Sequence, residues 1–383
     1  MTLAKNHVDI PAISPSSQLR EKGEPISGPF EFRFHIHSPS GALLFLPQSD
    51  VGYIEAVRGA HHREPESHID QIAQQFVELA TSMGRDIRQM TICGVSDKDF
   101  SMVKALEPLA GQSASILFPD SHCLEVEELF HESHSPRKQI DADVIIARHI
   151  VEHVRDIDKF IMGLREALQP GALCLIEVPD STRMLTLGDI TQLWEEHTAY
   201  FTPSTLRALL ETGGFDILYE ENVTSDGEDL CVIVAQVSAQ EAAERNTSET
   251  AGREMVFLDR LPSFLESLSA KLAARSATHN VWLYGANHTS GVFLDVVANN
   301  SVRIRGIIDD DLSKKDQVMS TINLEVHSYD ALLDSEPVCV LGAVAEGRAP
   351  ALYEKLLRDF PPEDGHLVQS LVAFSEECWE EEQ

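Results

Sequence analysis

The fold is decided by the segment "DADVIIARHIVEHVRDIDKFIMGLREALQPGALCLIEVPD", residues 141–180. It contains a short apolar run, an amphipathic pattern of helical period, a Pro-Gly turn and a second apolar run. The two apolar runs predict buried strands, and the amphipathic pattern between them predicts a helix. A strand, a helix and a strand in this order are typical of a parallel sheet covered by helices.

The same alternation extends in both directions. It runs from about residue 88 to 236, and a second series runs from about 278 to 374. We therefore predict an α/β protein with a central Rossmann-like domain, a C-terminal Rossmann-like α/β domain and a small N-terminal β element. The predicted boundaries are a flexible arm at 1–28, the β element at 29–60, the central domain at 61–237, a linker and long helix at 238–277, the C-terminal domain at 278–374 and a solvated acidic tail at 375–383.

The composition disfavours several classes of protein. Acidic residues outnumber basic ones by 62 to 30, and the formal charge of −32 disfavours a nucleic-acid partner. No apolar run approaches the ~20 residues of a membrane-spanning helix, and the N-terminus lacks the apolar core of a signal peptide. The six cysteines form no Cys-x-x-Cys pair. We expect a cytoplasmic protein without membrane contact, and we leave homo-oligomerisation open.

Polar residues accompany both apolar runs of the opening segment. Arg148 and His149 end the first run, Glu152 and His153 precede the helix, and Glu177 lies near the end of the second run. Ligands bind beyond the carboxyl ends of the strands in open α/β sheets, so these residues are candidates for a ligand crevice. The alternative is that the Glu-His pair only caps the helix.

A second polar cluster is "WEEHTAYFTP", residues 194–203. It combines carboxylates, an imidazole and a phenol, which are groups that transfer protons, with the Thr-Pro-Ser start of a helix. The imidazole of His197 is the group best suited to proton transfer near neutral pH. The alternative is that His197 is a hydrogen-bonded histidine of the core.

Together, these motifs resemble the class I S-adenosylmethionine-dependent methyltransferases, and most closely the C-methyltransferases of nucleotide-linked sugars. The resemblance covers about residues 60–360 and rests on motifs in the family's order. In the central domain they are Asp143–Ile146, Glu152-His153, Leu168–Gly171, Glu177–Pro179 and the Glu-His-x-x-Tyr-Phe-Thr-Pro motif at Glu196–Pro203. In the second domain they are Tyr284-Gly285-Ala286 and Asp309–Asp311.

The resemblance implies a cofactor, a substrate and a reaction. The cofactor is S-adenosylmethionine, and the substrate is a nucleotide-linked 4-keto-6-deoxy sugar whose enolate attacks the cofactor's methyl group. By position, His197 is the expected base, Glu196 its neighbour at the sugar and Tyr200 a hydrogen-bonding or pocket residue, and these three are the candidate catalytic residues. Cofactor contacts are expected from Gly94, Asp97, Asp120, Arg148 and His149, and substrate contacts from Glu152, His153, Glu177, Tyr284, Gly285 and Asp309.

The sequence departs from the family pattern at the expected cofactor loop, "TICGVSDKDFSM". Lys98 holds the position of the second glycine, Ile92 that of the usual glutamate, and Phe118 stands where a ribose-binding carboxylate is expected. Asp120, two residues further on, is the candidate replacement. Two alternatives stay open: a binding or partner module that has lost the cofactor, and an enzyme of the same scaffold with a changed cofactor or acceptor.

The N-terminal region departs as well, because it lacks the clustered cysteines of the family's zinc module. It is rich in histidine instead, with His35, His37, His61, His62 and His68. The tripeptide "HIH" can place two imidazoles on one face of a strand, which leaves a histidine metal site as an alternative. Histidines near a surface hairpin are more often ordinary polar residues, so we expect no metal site.

Overall fold

The computed structural model describes twelve segments of the chain, which form three β-sheets and their covering helices. The described residues are 7–13, 19–24, 30–47, 68–109, 114–118, 140–194, 196–225, 228–239, 252–297, 302–320, 322–344 and 350–381. Asp120, His61 and His62, which the sequence analysis singles out, lie outside them.

The strands and helices alternate through most of the described chain. The strands are β1 His7–Ile13, β2 Phe30–Ile36, β3 Leu43–Pro47, β4 Ile92–Ser96, β5 Ala114–Phe118, β6 Val144–Arg148, β7 Leu173–Pro179, β8 Ala199–Tyr200, β9 Phe215–Ser225, β10 Glu228–Val237, β11 Asn280–Tyr284, β12 Ile304–Ile308, β13 Val318–Met319, β14 Leu324–His327, β15 Val338–Gly342 and β16 Leu367–Ser370. The helices are α1 Ile69–Ser82, α2 Phe100–Leu106, α3 Ile157–Ala167, α4 Thr182–Leu187, α5 Pro203–Thr212, α6 Gly252–Thr278, α7 His288–Val297, α8 Asp330–Leu333, α9 Pro350–Asp359 and α10 Leu371–Glu381.

The central sheet confirms the α/β prediction. Its strand order is β5-β4-β6-β7-β10-β9; the first four strands are parallel, and β10 runs antiparallel to both of its neighbours. Alternate residues of β6 enter different cores: Ile145 packs in the core that contains Phe160 of α3, and Ile146 in the core that contains Phe76 of α1. Because both faces are covered, the strand is a continuous apolar run in the sequence.

The N-terminal β element is a four-stranded antiparallel sheet with the order β1-β2-β3-β8. The predicted hairpin of β2 and β3 is confirmed, but the prediction of a flexible arm at 1–28 is wrong for its described residues. The side chains of Val8 and Ile10 in β1 are buried. Arg20 exchanges backbone hydrogen bonds with Val318 of the C-terminal domain. The alternating residues of β1 pair with β2, and this partner strand is known only from the tertiary structure.

The C-terminal domain is a second, mostly parallel sheet with the order β13-β14-β12-β11-β15-β16, in which β13 alone is antiparallel to its neighbour. The predicted long helix is α6. Its residues Phe257, Leu261, Phe264 and Leu268 recur at helical spacing and share one core with the N-terminal and C-terminal sheets. Among the described helices, none is long and apolar enough to cross a membrane.

The acidic C-terminal segment is not the solvated tail that the sequence predicts. It belongs to α10, whose Cys378 and Trp379 are buried. The Trp379 ring lies 3.7 Å from the Arg260 guanidinium, and its indole N–H donates to the Thr186 carbonyl at 2.8 Å. The prediction fails because the glutamates of α10 lie toward solvent, while its few large apolar residues pack in a core formed with segments far away in the chain.

Candidate functional site

The candidate site lies at the carboxyl ends of β4, β6 and β7. Directly after β6, His149 has a left-handed backbone conformation, with φ of 50°, and its N–H donates to the Glu177 carbonyl at 2.9 Å. Histidine is among the non-glycine residues that occupy this region most often. The following 3-10 segment, Val151–His153, brings Glu152 and His153 to the same edge. Carboxyl ends of parallel strands are the usual place of a ligand crevice.

A buried ion network lies beneath the crevice. The Arg148 guanidinium donates from Nε (2.9 Å) and Nη2 (2.6 Å) to Glu177 Oε1, and His68 Nε2 lies 2.9 Å from Glu177 Oε2. Burial raises the pKa of Glu177, but the charges of Arg148 and His149 outweigh it and hold that pKa well below its usual range. Both side chains are fully buried and bonded to each other, so they stabilise this edge of the sheet from beneath, and the predicted cofactor contact of Arg148 and substrate contact of Glu177 stay predictions.

His149 is the cationic histidine of the site. Its Nε2 lies 3.2 Å from Glu177 Oε1, and its Nδ1 lies 3.5 Å from Glu152 Oε1. Burial lowers the pKa of His149, but the contacts with the two carboxylates outweigh it and raise the pKa to about 10. The ring is 23% exposed, so its positive charge is felt in the crevice.

Glu152, His153 and His197 form a triangle beside this cation. Their candidate ligand atoms all lie within 4.8 Å of one another, and all three residues are buried. Within the described part of the chain, neither carboxylate oxygen of Glu152 has a hydrogen-bond partner. The pKa of Glu152 is raised by burial and lowered more strongly by His149, so the carboxylate is ionised.

The two histidines of the triangle are neutral. Burial lowers the pKa of His153 well below its usual value, and the positive charge of Lys98 lowers it further. Burial also lowers the pKa of His197, to about 3, where Glu152 opposes the shift and Lys98 adds to it. His149 and His197 therefore differ in charge at neutral pH. Titratable neighbours whose pKa values are pushed apart in this way are typical of proton-transfer sites.

The turn between β4 and α2 is closed by its own side chains. Asp99 Oδ2 accepts the backbone N–H groups of Val95 and Ser96, each at 2.8 Å. Lys98 Nζ crosses the edge of the sheet, donates to the His149 carbonyl at 2.7 Å and lies 3.1 Å from His153 Nε2. The motif pattern marks Lys98 only as a substituted glycine, although its ammonium group contacts the site directly.

The segment after Trp194 is held in place by its own hydroxyl and carbonyl groups. The Tyr200 hydroxyl accepts from the backbone N–H of Trp194 at 3.0 Å. The Tyr200 side chain lies almost fully buried against Phe34. The Glu196 carbonyl faces His153 Nδ1 at 3.0 Å. These contacts let Tyr200 position the segment that carries His197, and its catalytic role stays a prediction.

The C-terminal domain reaches the site through its first helix. The ring of His288, the first residue of α7, stacks on Trp194 with centroids 5.1 Å apart, and Trp194 in turn lies 4.8 Å from the His197 ring. Just before α7, Gly285 turns the chain with φ of 106°, a conformation that favours glycine. The site thus lies where the central and C-terminal domains meet.

The remaining predicted residues of the two domains have structural contacts. Gly94 lies inside β4 rather than in the turn, while Asp97 begins the half-buried turn itself. Asp309 accepts from the Ala286 N–H at 2.7 Å, and the Tyr284 hydroxyl donates to Asp310 at 2.8 Å. Gly94 is thus displaced from its expected place, and contacts of Tyr284, Gly285 and Asp309 with a substrate stay predictions.

Comparison with known proteins finds similarity in the central domain. Residues 59–220 match the family model described as a methyltransferase domain. The C-methyltransferase NovU of Streptomyces niveus is 24% identical over 113 residues, which are 30% of this chain and 27% of that protein. The matched part thus spans about a quarter of this relative's length. With the sheet order described above, the central domain has a Rossmann-like methyltransferase fold.

Solved structures of methyltransferases are similar to less than half of the chain. A putative methyltransferase from Bacillus halodurans C-125 has 10% identity and a TM-score of 0.30, over 42% of this chain and 99% of that one. Magnesium protoporphyrin IX methyltransferase from Synechocystis PCC 6803, with bound SAH, has 16% identity and a TM-score of 0.30. The match covers 44% of this chain and 83% of that one. The match to the methyltransferase domain family supports S-adenosylmethionine as the cofactor.

Proposed function

We propose that this protein is an S-adenosylmethionine-dependent methyltransferase that methylates carbon, with His197 as the base. The observation that carries the proposal is the neutral, buried imidazole of His197 next to the Glu152 carboxylate, at the carboxyl edge of a methyltransferase sheet. The partial likeness to a C-methyltransferase supports carbon as the methylated atom.

The proposed reaction begins with a proton transfer. A ring nitrogen of His197 accepts the proton from a substrate carbon beside a ketone, and Glu152 stabilises the imidazolium that forms. The positive charge of His149 stabilises the negative charge that develops on the substrate oxygen. When bound, S-adenosylmethionine supplies the electrophilic methyl group. His197 then releases its proton to solvent.

The pKa of His197 constrains this role. At about 3 it keeps the ring unprotonated at neutral pH, but a base with so low a pKa is weak. Besides burial, the positive charges of Lys98, His149 and His288 lower this pKa. We infer that Lys98 moves away from the triangle when ligands bind, since withdrawal of its charge raises the basicity of His197.

One contact at this edge of the sheet supports a place for the cofactor's amino group. The Lys98 ammonium donates to the His149 carbonyl at 2.7 Å, so this carbonyl already accepts a cationic amino group. S-adenosylmethionine carries an ammonium group of the same kind, and the His149 carbonyl and Asp97 would hold the cofactor once Lys98 withdraws. Lys98 is therefore proposed to compete with the cofactor.

For the substrate, we propose a nucleotide-linked keto-deoxy sugar bound between the two domains. The motif order from Asp143 to Asp309 supports this class, as does the meeting of Trp194 and His288 beside His197. Trp194 and His288 offer aromatic surface for a sugar or a base, and the glycine turn at Gly285 offers close approach to the backbone.

Two measurements test the proposal separately. Calorimetric titration with S-adenosylmethionine and its demethylated product tests the cofactor, and Lys98→Met should bind more tightly than the natural protein, whereas the exposed Lys104→Met should not. Exchange of the substrate's carbon-bound proton with deuterated water tests the base. His197→Asn should lower this exchange by at least about a hundredfold, with cofactor affinity nearly unchanged; His279→Asn, which lies elsewhere, is the control. Full exchange activity in His197→Asn would remove it as the base.

A second function is favoured by the closed turn at Asp99 and Lys98: a methyltransferase-like binding or partner module without cofactor. In that case neither the natural protein nor Lys98→Met binds S-adenosylmethionine at millimolar concentration. Binding of the variant alone would instead show that the site is intact and closed by Lys98.

A further inference from the structure

The triangle of Glu152, His153 and His197 has the composition of a transition-metal site. Two imidazoles and one carboxylate are the ligand set of many catalytic zinc sites and of the facial-triad iron sites. The three ligand atoms already lie within 4.8 Å of one another. The sequence could not show this site, because Glu152 and His153 are adjacent whereas His197 is 44 positions further along the chain.

A second observation points to a missing cation. Glu152 is only 1% exposed, yet neither of its carboxylate oxygens has a hydrogen-bond partner among the described residues. His149 Nδ1 forms an ion pair with one of its oxygens at 3.5 Å. Buried carboxylates are normally hydrogen-bonded or coordinate a metal, so this carboxylate has acceptor capacity left for a cation.

The imidazole of His153 is oriented as metal ligands usually are. Its Nδ1 lies 3.0 Å from the Glu196 carbonyl, and a carbonyl can only accept, so Nδ1 carries the proton and Nε2 has the free electron pair. A second-shell carbonyl that fixes the tautomer in this way is a common feature of histidine metal sites. His153 Nε2 faces the Lys98 ammonium at 3.1 Å, so the position is already one that attracts a cation.

We propose that Glu152, His153 and His197 bind a divalent transition metal ion of the zinc class, and that Lys98 competes with this ion. Binding uses the electron pair of His197 that the proposed reaction needs for its proton. Metal binding and proton abstraction are therefore mutually exclusive, and the metal acts as an inhibitor. The metal site does not depend on methyl transfer, because the three ligands are present in either case.

The test is titration of the full chain, freed of metal by chelation, with Co²⁺ and Zn²⁺. Co²⁺ is followed by its visible absorption and Zn²⁺ by its displacement of Co²⁺. We expect one site at the triangle, with affinity at least about a hundredfold lower in Glu152→Gln/His153→Gln and at least about tenfold higher in Lys98→Met. Mg²⁺ should not compete, because it prefers oxygen ligands. The controls are Glu363→Gln, at an exposed residue, and His279→Gln, at a half-buried histidine outside the triangle.

Several outcomes would overturn the proposal. Unchanged Co²⁺ binding in the double variant would assign the metal to other histidines, and the absence of binding in Lys98→Met would exclude the site altogether. We expect Lys98→Met to bind Co²⁺ more tightly than the natural protein. Misfolding would weaken metal binding, so it cannot produce this gain in affinity. Circular dichroism of both variants without metal verifies their folding. If the metal-free protein shows no proton exchange, that result contradicts the proposed function but not the metal site. If zinc does not inhibit proton exchange, metal binding and proton abstraction at His197 do not compete.

Discussion

The buried ion pair of Arg148 and Glu177 gives the sharpest prediction about stability. Arg148→Met preserves most of the apolar volume but leaves the Glu177 carboxylate, which is fully buried, without its guanidinium partner. Removal of one partner of a buried pair typically costs about 3–5 kcal/mol, because the remaining charge is neither solvated nor neutralised. His149, 3.2 Å from the same carboxylate oxygen, and His68 remain. We therefore expect the lower end of the range, about 3 kcal/mol.

The assay is urea unfolding at neutral pH, followed by circular dichroism. The control is Arg88→Met, which breaks an exposed pair of similar length, 2.8 Å from Asp86, and should change the free energy of unfolding little. Adding Glu177→Gln to Arg148→Met removes the unpaired charge and should restore part of the lost stability. Our reasoning is refuted if Arg148→Met costs no more than Arg88→Met, or if the second substitution restores nothing.

Two other predictions concern regions away from the crevice. Trp379→Ala should lower the free energy of unfolding by about 3–5 kcal/mol, measured in urea, because it empties a core position; Glu380→Ala beside it is exposed and should have little effect. Burial raises the pKa of Glu254 in the folded protein above its value in the unfolded chain. Ionisation of Glu254 therefore lowers the free energy of unfolding as the pH rises above about 4.5. Glu254→Gln should therefore unfold at higher temperature than the natural protein at pH 7 but not at pH 4; a gain that is equal at both values, or shared by the exposed Glu266→Gln, contradicts this.

Much of the fold could be predicted from local patterns. The strands β4, β6 and β7 are apolar runs, α3 has a clear helical period, and their alternation implies a parallel sheet. Such patterns are readable because burial of both sheet faces and of one helix face imposes a period on neighbouring residues. The strand β1 and the buried face of α10 escaped the same reading, since few apolar residues mark them and their partners are distant in the chain.

The candidate site was only partly predictable. The motifs identify His197, Glu152 and His153, because residues that follow apolar strands in the sequence also lie at the carboxyl edge of the sheet. They do not show that the side chains of Arg148 and Glu177 are fully buried and paired with each other. No local pattern links His68 to Glu177 across 109 positions.

The sequence by itself determined the class of the fold and the segments that carry the titratable groups of the candidate site, because these follow from periodicity and from residues adjacent in the chain. Only the tertiary structure decided the charges of those groups. Burial and the positions of Lys98, Glu152 and Glu177 make His149 a cation and His197 neutral. These contacts connect separate strand ends, so they exist only once the sheet has formed.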